Sequence, residues 1–98
     1  MALNPLDALT FNPVGAHTAN SSLATDVTLT VPDGATKIIV QALAQDIRYT
    51  LGGTTPTTTL GFQLKADDQP IMIPLGGDTV LKFIEETATA TLQYQFGN

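Results

Sequence analysis

Ninety-eight residues carry no cysteine, no tryptophan and one histidine, and nine acidic against four basic side chains set a formal charge of −5. One domain of the usual size, roughly 100–150 residues, accommodates this length, and such a chain buries only about two-thirds of its unfolded surface, so its small core gains from contact with other chains. The absent cysteine excludes a disulfide framework, a thiolate metal site and a cysteine nucleophile, while three lysines and one arginine cannot build the basic face that nucleic-acid phosphates require.

The first residues, Met1 to Leu9, lack a basic leader and a continuous apolar stretch, so no secretory signal is expected there. No run of 18 apolar residues exists for a membrane-spanning helix. Asn4-Pro5 has the chemistry of a helix start, with Leu6 and Leu9 on one face, and the pattern ends at Phe11-Asn12-Pro13 after a single turn at most. Residues 12–26 hold Asn12, Pro13, Gly15, Asn20, Ser21 and Ser22 without periodicity, which predicts a loop and makes 1–26 an N-terminal arm and loop. Asn20-Ser21-Ser22 also fits the glycosylation acceptor pattern, a triplet short enough to arise by chance.

From residue 27 the apolar period becomes two. Val27, Leu29 and Val31 alternate with threonines until Pro32-Asp33-Gly34 turns the chain. Lys37 to Leu43 is nearly continuous in apolar residues, as a strand covered on both faces would be. Ile47, Tyr49 and Leu51 form the next face, then Phe62, Leu64 and Ala66, then Ile71, Ile73 and Leu75, where Pro70 and Pro74 indicate an edge strand. Thr79 to Glu85 follows Gly76-Gly77-Asp78, and the last strand alternates Ala88, Ala90, Leu92, Tyr94 and Phe96 with threonine and glutamine. About seven short strands at this spacing predict an all-β chain: an antiparallel β-sandwich of jelly-roll or immunoglobulin-like type over residues 27–98.

The candidate chemistry does not converge. His17 has Ser21 and Ser22 nearby in sequence but no orienting acid and no patterned frame, so an exposed loop histidine is the expectation. Glu85 and Glu86 are neighbours on a strand and point to opposite faces. Asp67-Asp68 reads as a hairpin turn, and neither it nor Asp78 has the spaced oxygens of a calcium loop. Gly52-Gly53 and Gly76-Gly77 are turns, since no helix and no Lys-Ser/Thr follows either. No catalytic residue, cofactor or metal is therefore expected. Tyr49 and Tyr94 sit on apolar strand faces, which favours core packing over a sugar platform.

Surface for protein contacts remains. The uncharged Thr/Gln face of the last strand would invite pairing if that strand lay at an edge. Leu3, Leu6, Leu9 and Phe11 make the arm apolar, either to pack on its own sandwich or to dock on a neighbouring subunit. A homo-oligomer or assembly component follows.

Two resemblances bear on these residues. The run IRYTLGGTTPT from Ile47 to Thr57, followed by QPIMI ending at Ile73 and TVLKFI ending at Ile84, resembles the immunoglobulin-like module at the C-terminus of chitobiase-type hydrolases. Gly52 stands where that family usually has Asp; the resemblance implies a sandwich that serves as a carbohydrate-binding or spacer module and carries no catalytic residue. Residues 47–97, with Arg48-Tyr49-Thr50, Thr55-Pro56-Thr57, Gly61-Phe62, IMIPLGGD ending at Asp78, LKFI ending at Ile84 and ATLQYQFG ending at Gly97, are similar to small virion proteins of tailed bacteriophages. This resemblance implies a structural capsid decoration or cement protein, or a tail or neck component. Its expected partners are the major capsid protein or other virion subunits, with a homo-oligomer, trimers being frequent, and no nucleic acid or membrane. Its expected location is the virion, and the host cytoplasm during assembly.

Overall fold

Eight strands form within residues 11–77 and 80–98, the part of the chain that the computed structural model describes. They are β1 (Pro13–Asn20), β2 (Val27–Thr30), β3 (Lys37–Leu43), β4 (Ile47–Leu51), β5 (Phe62–Leu64), β6 (Ile71–Pro74), β7 (Val80–Glu85) and β8 (Thr91–Gly97). The Asn4-Pro5 helix start, the arm residues Leu3, Leu6 and Leu9, and the turn residues Asp78 and Thr79 lie outside the described residues.

One sheet has the order β1-β8-β3-β6 and the other β2-β7-β4-β5. Every pairing is antiparallel, and the pairs nest: β1 with β8, β2 with β7, β3 with β6 and β4 with β5. A long hairpin folded over on itself gives this order, which is that of a jelly roll; the immunoglobulin order would instead set the first, second, fifth and fourth strands in one sheet.

Register explains the core. Ile38, Val40 and Ala42 face the same way as Ile73, Leu92 and Phe96 in the first sheet. Leu29, Ile47, Leu64, Leu81 and Phe83 line up in the second. All belong to one buried cluster, so the sheets pack face to face as a sandwich. β3 departs from the expected double coverage. Its residues alternate between buried and half-buried, because Ile39 pairs with Met72 on the outer face, away from the core.

The largest departure is β1, which occupies residues 13–20 of the expected arm and loop. Its pairing with β8 shifts between Val14↔Phe96 and Thr18↔Tyr94, so three residues, Gly15 to His17, stand opposite Gln95. Such a bulge erases the period-two pattern by which a strand is read. Gln95 holds it through its side-chain amide, which donates to the Gly15 carbonyl at 3.1 Å. β1 also takes the outer side of β8, so the Thr/Gln strand is interior to its sheet, and β6 with its prolines is an edge.

Candidate interaction surface

The loop between β4 and β5 decides what the second sheet presents. Register places Thr50 on the outer face beside Lys82, yet Thr50 is only 7% exposed because the loop folds back over it. The Thr50 hydroxyl donates to the Thr54 carbonyl, Lys82 Nζ lies 3.4 Å from Thr55 Oγ1, and Pro56 is fully buried. Thr57 then forms a tight turn, its hydroxyl accepting the amide of Leu60 at 2.9 Å. Loop and turn together hold Leu60 outward, 51% exposed.

Gly61 carries the chain from this turn into β5. Its φ is +127°, and a Cβ there would stand 2.9 Å from the Tyr49 carbonyl oxygen, so only glycine allows the approach. Arg48 Nη1 donates to the Gly61 carbonyl at 2.9 Å while Arg48 Nε meets Glu86 Oε2 at 3.2 Å. Gln63 adds a bond to the same Glu86 oxygen at 2.6 Å. β5 is thus fastened on its polar side.

Its apolar side is left open. Phe62 aligns with Tyr49 on the core-facing side, but β5 is a three-residue edge strand with nothing beyond it, and Phe62 is 65% exposed. The Phe62 and Tyr49 rings lie 5.5 Å apart with a 42° tilt, and Tyr49 continues to Phe83 at 5.8 Å. Tyr49, Leu51, Leu60 and Phe62 line a cleft of about 430 Å³ together with Thr50, Thr54 and Gly61. Burial pushes the pKa of the Tyr49 hydroxyl above its usual value, so the cleft holds a neutral phenol. Farther along the same side, Ile71 of β6 is 41% exposed. Leu60, Phe62 and Ile71 are the large exposed apolar side chains among the described residues, and they share one side of the sandwich.

Of the four arm residues, Phe11 alone falls within the described part. Asn12 and Asn98 exchange backbone hydrogen bonds at 2.7 and 2.9 Å, extending the β1–β8 pairing by one step. Phe11 lies flat against Gly97, where a Cβ would come within 2.4 Å of the ring. It is half-buried and closes the end of the first sheet.

The remaining candidates are engaged locally. His17 Nε2 and Gln93 Oε1 are 2.5 Å apart across β1 and β8, while Ser22 gives its amide to Asn20 in a turn. Glu85 accepts the Ala90 amide and Glu86 accepts from Arg48, so the two carboxylates diverge. Asp67 and Asp68 organise the β5–β6 turn: Asp67 Oδ1 accepts the Ala44 amide, and Asp68 Oδ1 accepts that of Gln69. Among the described residues no three His, Asp or Glu side chains come together as a ligand set. Arg48, Lys65 and Lys82 are each paired with a carboxylate, Glu86, Asp46 and Asp26 respectively.

The cleft was not legible as a site in the sequence. Phe62 and Tyr49 alternate as core residues should, and only the shortness of the run between Gly61 and Asp67 hinted that β5 would be too small to cover them. Comparison with protein-family models, with curated proteins and with solved structures finds no match to this chain. Function is therefore read from the residues and their geometry.

Proposed function

We propose that this chain is a non-enzymatic structural component of a tailed-bacteriophage virion, a capsid decoration or cement protein that acts as a homo-oligomer, with a trimer as the expected state. The observation that carries the reading is the apolar surface of the sandwich, where Leu60, Phe62 and Ile71 stand exposed among the described residues. The jelly-roll order supports it, since such sandwiches recur in viral capsids as well as in lectins. Fold alone assigns no function, so the similarity of residues 47–97 to phage virion proteins is the second support. The major capsid protein would be the shell partner.

Adding the purified chain to particles that lack it, followed by cryo-electron microscopy, tests the reading. Ordered density on the head is expected. Density at the neck or tail would reassign it within the virion, and no binding to any particle would sink it.

A carbohydrate-binding role is a second reading favoured by one observation, the exposed Phe62 ring set beside Tyr49 at an open cleft. A glycan array separates the two. Sugar binding that Phe62→Ala abolishes without unfolding the chain would favour this reading over the structural one.

A further inference from the structure

This inference goes beyond the proposed function and concerns a different part of the molecule, the outer edge of the second sheet. The two sheets end in the edge strands β1, β6, β2 and β5. An edge strand offers unpaired amides and carbonyls to any other strand, and proteins block it with proline, bulges, charge or shortness. β1 is blocked by Pro13 and by its bulge at Gly15 to His17. β6 follows Pro70 and ends in Pro74, and β5 has only three residues with Lys65 directly after it. β2 is different. Val27 to Thr30 pair with β7 in unbroken register, and Val31 continues the alternation, with no proline, bulge or charged side chain in the run. Leu23 closes the core behind this edge. Among the described residues, however, no strand lies beyond β2 and no backbone hydrogen bond reaches its outer side.

The same run is a palindrome. Val27-Thr28-Leu29-Thr30-Val31 reads identically in both directions, so a second copy turned about a twofold axis at Leu29 meets it residue for residue. We propose that β2 is the edge at which two copies of this chain join, antiparallel, with Leu29 opposite Leu29, Thr28 opposite Thr30 and Val27 opposite Val31. Opposed residues share a face, so a shift by one would set an outward threonine against an inward leucine or valine. A shift by two would bring Asp26 or Pro32 into the ladder. In the palindromic register Thr28 and Thr30, exposed on the outer face, form threonine pairs that hydrogen-bond across the strands. On the core side Val27 and Val31, which their own core covers only in part, cover each other. The ladder ends at Asp26 opposite Pro32, which has no amide hydrogen to give. The Asp26 carboxylate is itself held 3.8 Å from Lys82 Nζ of its own chain. Such a contact is isologous and closes at two copies; beside a threefold contact elsewhere it gives dihedral symmetry.

Because the chain has no cysteine, single introduced thiols report the joint directly. Thr28→Cys and Thr30→Cys are made as separate full-length variants, with Ala19→Cys at an exposed position of the β1 edge as background. Circular dichroism and thermal melts confirm that each is folded. Each variant alone and each pairwise mixture is oxidised with glutathione disulfide, and linked dimers are followed on non-reducing gels. The mixture of Thr28→Cys with Thr30→Cys should link about tenfold faster than either variant alone, because opposed residues lie within disulfide reach whereas diagonal ones, about 7–8 Å apart, do not. Fast linking by Thr28→Cys alone or by Thr30→Cys alone would overturn the register. Linking of the mixture no faster than that of the pairs containing Ala19→Cys would overturn the joint itself. Neither failure touches the proposed function, which is read separately from binding to particles.

Discussion

The two long sides of the sandwich are bridged by connections of equal length, residues 21–26 between β1 and β2 and residues 65–70 between β5 and β6, yet one side is sealed and the other open. The first connection sends Leu23 into the core, fully buried, and its carbonyl accepts the Glu85 amide at 3.1 Å. The second, Lys65 to Pro70, has no large apolar residue to offer. It folds instead through polar contacts, the Asp46 carboxylate accepting the Ala66 amide at 2.7 Å and the Asp67 amide donating to the Ala42 carbonyl. Length does not decide whether a sandwich edge is covered. One leucine does, and where it is missing the apolar faces of Phe62 and Ile71 remain available.

The largest test of this contrast sets two phenylalanines against each other. Phe83→Ala, at a fully buried position, should cost about 3–5 kcal/mol in urea unfolding, and Phe62→Ala less than about 1 kcal/mol. Equal losses would mean that the open side is part of the core. Leu23→Ala should remove about 3 kcal/mol and make the sealed side resemble the open one, with faster hydrogen exchange in β2 as the local readout. Next in size, Gly61→Ala forces a Cβ against the Tyr49 carbonyl at a positive φ and should cost about 1–3 kcal/mol. Its effect should appear as a changed environment for Tyr49 and Phe62 in side-chain NMR spectra. Arg48→Met loses the Gly61 and Glu86 contacts and should destabilise by about 1 kcal/mol, loosening β5 more than β2. The smallest effect concerns pH. Burial keeps Tyr49 protonated in the folded chain to higher pH than in the unfolded one, where a tyrosine ionises near pH 10. The folded state therefore holds the extra proton, and that share of stability is complete below about pH 10 and lost as pH rises through the raised folded value. Tyr49→Phe should flatten the alkaline limb of the stability curve; an unchanged limb would mean that the phenol is not desolvated.

Seven of the strands stand where the sequence marks them, most by an alternation of apolar residues, which a sheet with one face on a core leaves as a period of two, and β3 by a nearly continuous apolar run that proved to be covered on one face only. β1 escaped for a local reason: the bulge at Gly15 to His17 breaks the period, and Pro13 and Asn20 look like loop residues. The prolines flanking β6 marked an edge correctly, since a residue without an amide hydrogen cannot serve an interior ladder. Phe62 and Tyr49 carried the right periodicity for core residues, and apart from the short run between Gly61 and Asp67 the sequence did not mark Phe62 as the one left uncovered. Exposure there depends on neighbours far along the chain, the β7 strand beside Tyr49 and the empty position beyond β5.

By itself the sequence determined the all-β character, the strand faces and the absence of cysteine chemistry, because these depend on residue type and on spacing within a few residues. The tertiary structure alone decided the order β1-β8-β3-β6 and β2-β7-β4-β5, the interior place of β8, and the side on which apolar surface survives. Each of those depends on pairing between residues up to 86 positions apart, such as Asn12 with Asn98, and no local pattern encodes which distant strand arrives to cover a given face.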